Sequence, residues 1–142
     1  MPEKIAMSEL FRSMRMSAAG MKTQGTRLRV IAENIANAES LPQTPNELPY
    51  QRKVVMFKNE LDRAIGSNIV QVDKITKDLS EFKRRYDPAH PAADANGYVL
   101  TPNVNSLVEI MDMREAQRSY EANLNVIKSS KAMLQSALEI LR

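Results

Sequence analysis

The chain has 142 residues, 43% of them hydrophobic and 26% charged, with a net charge of +3. These values fit one ordinary folded domain and exclude wholesale disorder. Nine Met, three Phe, four Tyr and no Trp or Cys leave a core of Leu, Ile, Val, Met and Ala, which suits helix seams and removes disulfides, thiolate metal sites and cysteine nucleophiles.

The first element is a long helix over Ser8–Ala38, a stretch with no proline. Met7, Met14, Met21, Leu28 and Ile35 recur every seventh residue, with Phe11, Ala18, Gly25 and Ala32 interleaved. Alternating steps of three and four are the repeat of a coiled-coil seam. Ala18, Gly25 and Ala32 lack bulk, so close approach of a partner backbone is expected along that edge. Asn34 and Asn37, at the end of this helix, are read as register-setting or cross-chain hydrogen-bonding amides, with local capping the alternative for Asn37.

Pro42, Pro45 and Pro49 then break the helix. The following segment predicts short strands at Tyr50–Lys58, Ile69–Val72 with Ile75, Phe82–Tyr86 and Tyr98–Leu100, and a short helical turn at Glu60–Ile65. Asn96-Gly97 signals a turn. His90 is the single histidine. A divalent site at Asp87, His90 and Asp94 is conceivable, but neither a second His nor a familiar ligand spacing accompanies it, so a hydrogen-bonded loop is preferred and no cofactor or metal is expected.

Asn103, Asn105 and Ser106 offer caps for a second long helix, and Ser106 with Glu109 has capping-box spacing. Met113, Tyr120, Ile127, Leu134 and Leu141 again fall every seventh residue, with Ile110, Leu124 and Leu138 interleaved. Gln117 and Lys131 interrupt that second row and are read as register-setting. A row of smaller residues, Ala116, Asn123, Ser130 and Ala137, runs beside it.

The expected fold is mainly α with a small β-rich insert (α+β). Residues 1–40 and 104–142 form long N- and C-terminal helices paired as an antiparallel coiled coil, and residues 41–103 form the insert. One stripe per helix is too little burial to offset the entropy of ordering both segments. The ends are therefore expected to order on assembly. The assembly residues are Met14, Met21, Leu28, Asn34, Ile35 and Asn37 on the first helix, and Met113, Tyr120, Asn123, Leu124, Ile127, Leu134, Leu138 and Leu141 on the last. No phosphate loop, nucleophile elbow or catalytic triad pattern is present in the sequence, so an enzyme is not expected. Lys83-Arg84-Arg85 is a local basic excess without accompanying groove-reading features, so nucleic acid is not an expected partner. No apolar run suits a cleaved signal peptide or a bilayer span, which implies a soluble chain without membrane insertion. A helical-hairpin adaptor is the alternative function.

Glu33-Asn34-Ile35-Ala36-Asn37-Ala38 after a Met-rich helix resembles the signature of the axial proteins of the bacterial flagellum, the rod and hook family. Pro49–Lys53, Tyr86–Asp94, Gly97–Val99, Pro102–Asn105 and Arg118–Asn123 extend the likeness across residues 7–142, toward the proximal rod of the basal body. Ala89 and Glu81 depart from the family's more usual Gly and Pro, and Met1–Ala6 stand ahead of the start common among its members. The resemblance implies a structural subunit that assembles helically, surrounds an export channel, transmits torque and is needed for motility. It implies export without a cleaved signal peptide and a place in the rod across the periplasm, with the insert facing outward. Implied partners are copies of itself, other proximal and distal rod proteins, the adaptor to the MS ring, and surrounding ring proteins.

Overall fold

The computed structural model describes residues 2–142, with side-chain surroundings from Lys4 onward. Six elements follow in chain order. These are helix α1 (Pro2–Ala36), strands β1 (Lys53–Asp62), β2 (Ser67–Lys77), β3 (Lys83–Tyr86) and β4 (Tyr98–Thr101), and helix α2 (Ser106–Ile140).

Helix α1 begins at a proline, whose fixed φ and missing N–H suit the first helical position. It starts six residues before the expected Ser8 and ends two before the expected Ala38. At its end Asn37 folds back, with both its backbone N–H and its Nδ2 donating to the Glu33 carbonyl, at 3.1 and 2.8 Å. Helix α2 is capped by Asn105, whose Oδ1 accepts from the N–H groups of Leu107 and Val108 at 3.1 and 3.5 Å. The capping box expected at Ser106 and Glu109 is thus replaced by an Asn cap one residue earlier. Glu109 is released for a different role.

The expected helical turn at Glu60–Ile65 is instead the end of β1 and a tight hairpin turn. Ladder pairing carries the strand through Asp62, after which Asp62 caps the turn by accepting the N–H groups of Ala64 (2.9 Å) and Gly66 (2.8 Å). Gly66 holds φ +62, the left-handed conformation such a turn needs. Strands β1 and β2 form one two-stranded sheet, and β3 and β4 form another. The second is antiparallel, with Lys83 opposite Thr101 and Tyr86 opposite Tyr98. The Tyr86 and Tyr98 rings meet edge to face at 5.3 Å.

The chain forms two compact units. Unit 1 comprises Met1–Arg27, Phe57–Asp73 and Glu115–Arg142. In it the tip of the β1–β2 hairpin lies along α1, where Arg12 donates to Ser67 Oγ and Arg15 pairs with Asp62 at 2.8 Å. Unit 2 comprises Leu28–Met56 and Lys74–Arg114. Its apolar centre is small: Val30 and Ile31 from α1, Ala92 and Val99 from the insert, and Pro102 and Val104 just before α2.

The helices run antiparallel within each unit. In unit 1 Gly20 meets Asn123 and Arg27 lies 3.4 Å from Glu115, and in unit 2 Asn34 bonds Glu109. The contact face, however, is not the expected heptad row. On α1 the most buried positions are Ser17, Thr23, Val30, Ile31 and Asn34; on α2 they are Glu109, Ala116 and Ser130. Gly20, rather than Gly25, is the close-approach position: a Cβ on Gly20 would fall 2.8 Å from Asn123 Nδ2, whereas nothing lies within 4 Å of one on Gly25. Ala18 and Ala32 are exposed, as are Gln117 and Lys131, so the latter two are outside the seam and cannot set its register. Small polar side chains permit the tighter approach, and the bulkier heptad row is displaced to the flank.

Candidate assembly surface

Two arrangements dominate the side-chain chemistry. The first is a buried polar clamp in unit 2. Glu109 is 0% exposed, and its carboxylate meets Arg52 Nε through one oxygen and Asn34 Nδ2 through the other at 3.2 Å. Asn34, itself 1% exposed, also donates to the Lys53 carbonyl at 2.9 Å and accepts from the Lys53 N–H (2.9 Å) and the Tyr50 hydroxyl (2.8 Å). An amide that donates twice and accepts twice has its hydrogen-bonding capacity filled.

Arg52 extends the network outward. Its guanidinium reaches Asp78 at 3.4 Å and Asp112 at 3.7 Å, and the Arg52 backbone N–H donates to Asn103 Oδ1 at 2.8 Å. Asn103 in turn donates to the carbonyls of Asp78 and Ser80. Asp78, Asn103 and Ser80 thus close the base of the hairpin, where the Asp78 N–H also donates to the Arg52 carbonyl at 2.8 Å.

The charges respond accordingly. Burial opposes the Arg52 charge, but Glu109 and then Asp78 outweigh it and hold the guanidinium above its ordinary pKa. Asp78 is held below the usual carboxylate range by hydrogen bonds from Ser80, with Arg52 adding to them. Glu33 is lowered chiefly by its bond from Lys53, 2.9 Å away, and Lys53 is correspondingly raised by Glu33. Burial raises the Tyr50 phenol.

The second arrangement is a set of unpartnered apolar side chains. On α2, Val126, Met133 and Ile140 recur every seventh residue and are exposed, Met133 by 54% and Ile140 by 85%. Leu107, Val108 and Met111, near the start of the helix, are also exposed. On α1, Ile5, Phe11 and Met16 are exposed in the same way. Scattered apolar residues on a surface are ordinary, but a row in helical register is the pattern of a surface that another element covers.

The expected assembly residues divide between these arrangements. Asn34 is placed inside the chain, fully bonded, so it ties α1 to β1 and α2 and is not available to a neighbour. Asn37 is a local cap, its Oδ1 accepting from Ser40. Asn123 packs on Gly20 and donates to the Ser119 carbonyl at 2.9 Å. Met14, Met21, Leu28, Ile35, Met113, Tyr120, Leu124, Ile127 and Leu134 are half-buried, while Leu138 and Leu141 are exposed.

Arg52, Tyr50 and Glu109 escaped the sequence reading as a functional group. A signal for Glu109 was present: it stands seven residues before Ala116, on the row of small residues that turned out to face inward.

Around His90, the polar atoms serve the loop. His90 Nδ1 accepts the Ala92 N–H at 3.1 Å, and Asp94 Oδ1 accepts from Asn96 and Tyr98, both at 2.9 Å. Among the described residues no cluster of three or more His, Cys, Asp or Glu could hold a metal, and no helix is long and apolar enough to cross a membrane.

A family model described as flagellar basal body rod FlgEFG protein C-terminal matches residues 95–140, which hold the end of the insert with β4 and all of α2. Over longer spans the chain is similar to proteins named flagellar basal-body rod protein FlgC. It is 46% identical to that of Agrobacterium fabrum, across 96% of this chain and 98% of the relative. It is 39% identical to that of Bacillus subtilis, across 92% and 97%, and 34% identical to that of Salmonella typhimurium, across 88% and 92%.

Proposed function

We propose a place in the proximal rod for this chain, which belongs to the FlgC family of flagellar basal-body rod proteins and is a structural subunit of that rod. The observation that carries the reading is the exposed heptad row Val126, Met133 and Ile140 on α2. A subunit that leaves such a row open to solvent gains its remaining burial from neighbours.

Contacts of this kind are heterologous: one face of a copy meets a different face of the next, and repetition without closure builds a helical tube. The paired helices line the export channel and the insert, residues 41–103, faces outward. Torque passes along the tube because many small apolar contacts share the load. Neighbours are copies of the chain, other proximal and distal rod proteins and the adaptor to the MS ring, with ring proteins around the rod in the periplasm. The half-buried rows on both helices, including Met14, Met21, Leu28, Ile35, Met113, Tyr120, Ile127 and Leu134, complete their burial at the same interfaces, and both helical segments gain order there. The chain is exported without a cleaved signal peptide and works without catalysis or cofactor.

The test is removal of the gene followed by complementation. Basal bodies from the deletion strain lose the rod and the cells lose motility; the wild-type chain restores both, and a Met133→Asp chain is exported but does not restore them. Intact rods in the deletion strain would overturn the proposal. A helical-hairpin adaptor would leave them intact.

A further inference from the structure

The chain contains one Asn-Gly pair, Asn96-Gly97, in the loop that joins β3 to β4. An asparagine followed by glycine is chemically labile. The backbone nitrogen of the next residue, once deprotonated, attacks the side-chain amide carbon, and a glycine there offers no side chain to hinder the attack. A C–N bond forms, the side-chain nitrogen leaves as ammonia, and the resulting succinimide takes up one water at either carbonyl to give aspartate or isoaspartate.

The native turn opposes each requirement. The nucleophile, Gly97 N, donates its hydrogen to the Asp94 carbonyl at 2.9 Å. Gly97 is buried although Asn96 is exposed. Its φ of +82 is held between neighbours: a Cβ there would lie 3.0 Å from Tyr86 and 3.1 Å from Pro88. On the other side of the reacting bond, Asp94 Oδ1 grips the N–H groups of Asn96 and Tyr98, both at 2.9 Å. Cyclisation needs Gly97 N to leave its acceptor and swing toward the Asn96 side chain, so the reaction waits on local opening of the turn.

We propose that Asn96 is a latent deamidation site that folding of the Asp94–Tyr98 turn holds shut, and that conversion there spoils the turn. Isoaspartate would add one carbon to the backbone beside Gly97. That displaces the Gly97 carbonyl, which accepts the Asp87 N–H at 2.9 Å, and with it the pairing of Tyr86 and Tyr98. Chains that linger unfolded are thereby marked chemically, and folded ones are spared.

The purified chain is incubated at one mildly alkaline pH, native and in denaturing urea. Conversion at each asparagine is followed by peptide mass spectrometry and isoaspartyl methylation. The denatured chain is expected to convert first at Asn96, and the native chain about tenfold or more slowly, since its rate is scaled by the fraction of time the turn is open. An Asp94→Ala chain, folded by circular dichroism, converts faster than the native one because Asn96 and Tyr98 lose their acceptor. Equal rates in native and denatured wild type, or a folded Asp94→Ala chain as slow as wild type, would overturn the proposal.

Discussion

Glu109 lies fully buried against Arg52, fifty-seven residues away in sequence, and its second oxygen holds Asn34 from the other helix. One carboxylate thereby fixes the relative positions of α1, the entry to β1 and the first turn of α2. Such a pair repays little of its own desolvation, but breaking it is expensive because the remaining charge stays buried.

Replacing Arg52 with Ala is therefore expected to destabilise unit 2 by about 3 kcal/mol or more. The paired replacement Arg52→Met with Glu109→Leu recovers most of that loss, since it leaves no charge unmatched. Urea-unfolding midpoints of the two single variants and the double variant measure the coupling. A loss in the double variant equal to the sum of the two single losses would show that the charges are not coupled.

The two helical glycines are expected to respond with opposite sign. Gly25→Ala gains helix propensity, about 1 kcal/mol, with space for the methyl group. Gly20→Ala forfeits that gain, because its methyl displaces the Asn123 side chain from the Ser119 carbonyl, at a cost of about 1–3 kcal/mol. Thermal denaturation compares them, and adding Asn123→Ala to the Gly20 variant relieves the overlap.

Asp substitutions at two adjacent residues separate assembly from folding. Met133 is exposed, so Met133→Asp leaves the unfolding midpoint of the isolated chain nearly unchanged and blocks rod incorporation. Leu134 is half-buried, so Leu134→Asp lowers the midpoint as well, by burying part of a charge. Basal-body preparations and denaturation curves read the two effects independently.

Acid and alkali act through different groups. Asp78 and Glu33 have native pKa values below their unfolded ones, so their contributions are complete above about pH 5 and are lost as pH falls through the lowered native values. Lys53 has a raised native pKa, so its contribution is present below about pH 10.4 and is lost as pH rises through the native value. Unfolding midpoints across pH should fall at both ends, and Asp78→Asn should flatten the acid limb.

Removing the α2 cap, Asn105→Ala, is expected to cost about 1 kcal/mol, whereas Ser106→Ala costs little because Ser106 is not the cap. A larger loss at Ser106 would restore the capping-box reading.

Apart from the turn at Glu60–Ile65, which is the end of β1 and a hairpin turn, the sequence by itself determined the element types and their order. Proline-free heptads give two long helices, Pro42, Pro45 and Pro49 end the first, and β-branched runs with Asn96-Gly97 give the strands and the loop between β3 and β4. These signals are local, since propensity, capping and turn chemistry act over a few residues. The motifs of the rod and hook family were likewise legible along the chain. Which stripe of each helix faces inward was decided only in three dimensions. On α2 the row of small residues, Ala116, Asn123 and Ser130, takes that place from the bulkier row, and on α1 neither heptad row does: Ser17, Thr23, Val30, Ile31 and Asn34 face inward, where Gly20 lets Asn123 approach. The clamp of Asn34, Tyr50, Arg52 and Glu109 had the same origin: a buried carboxylate is tolerable only where distant segments bring its partners together, and no spacing within one segment encodes that.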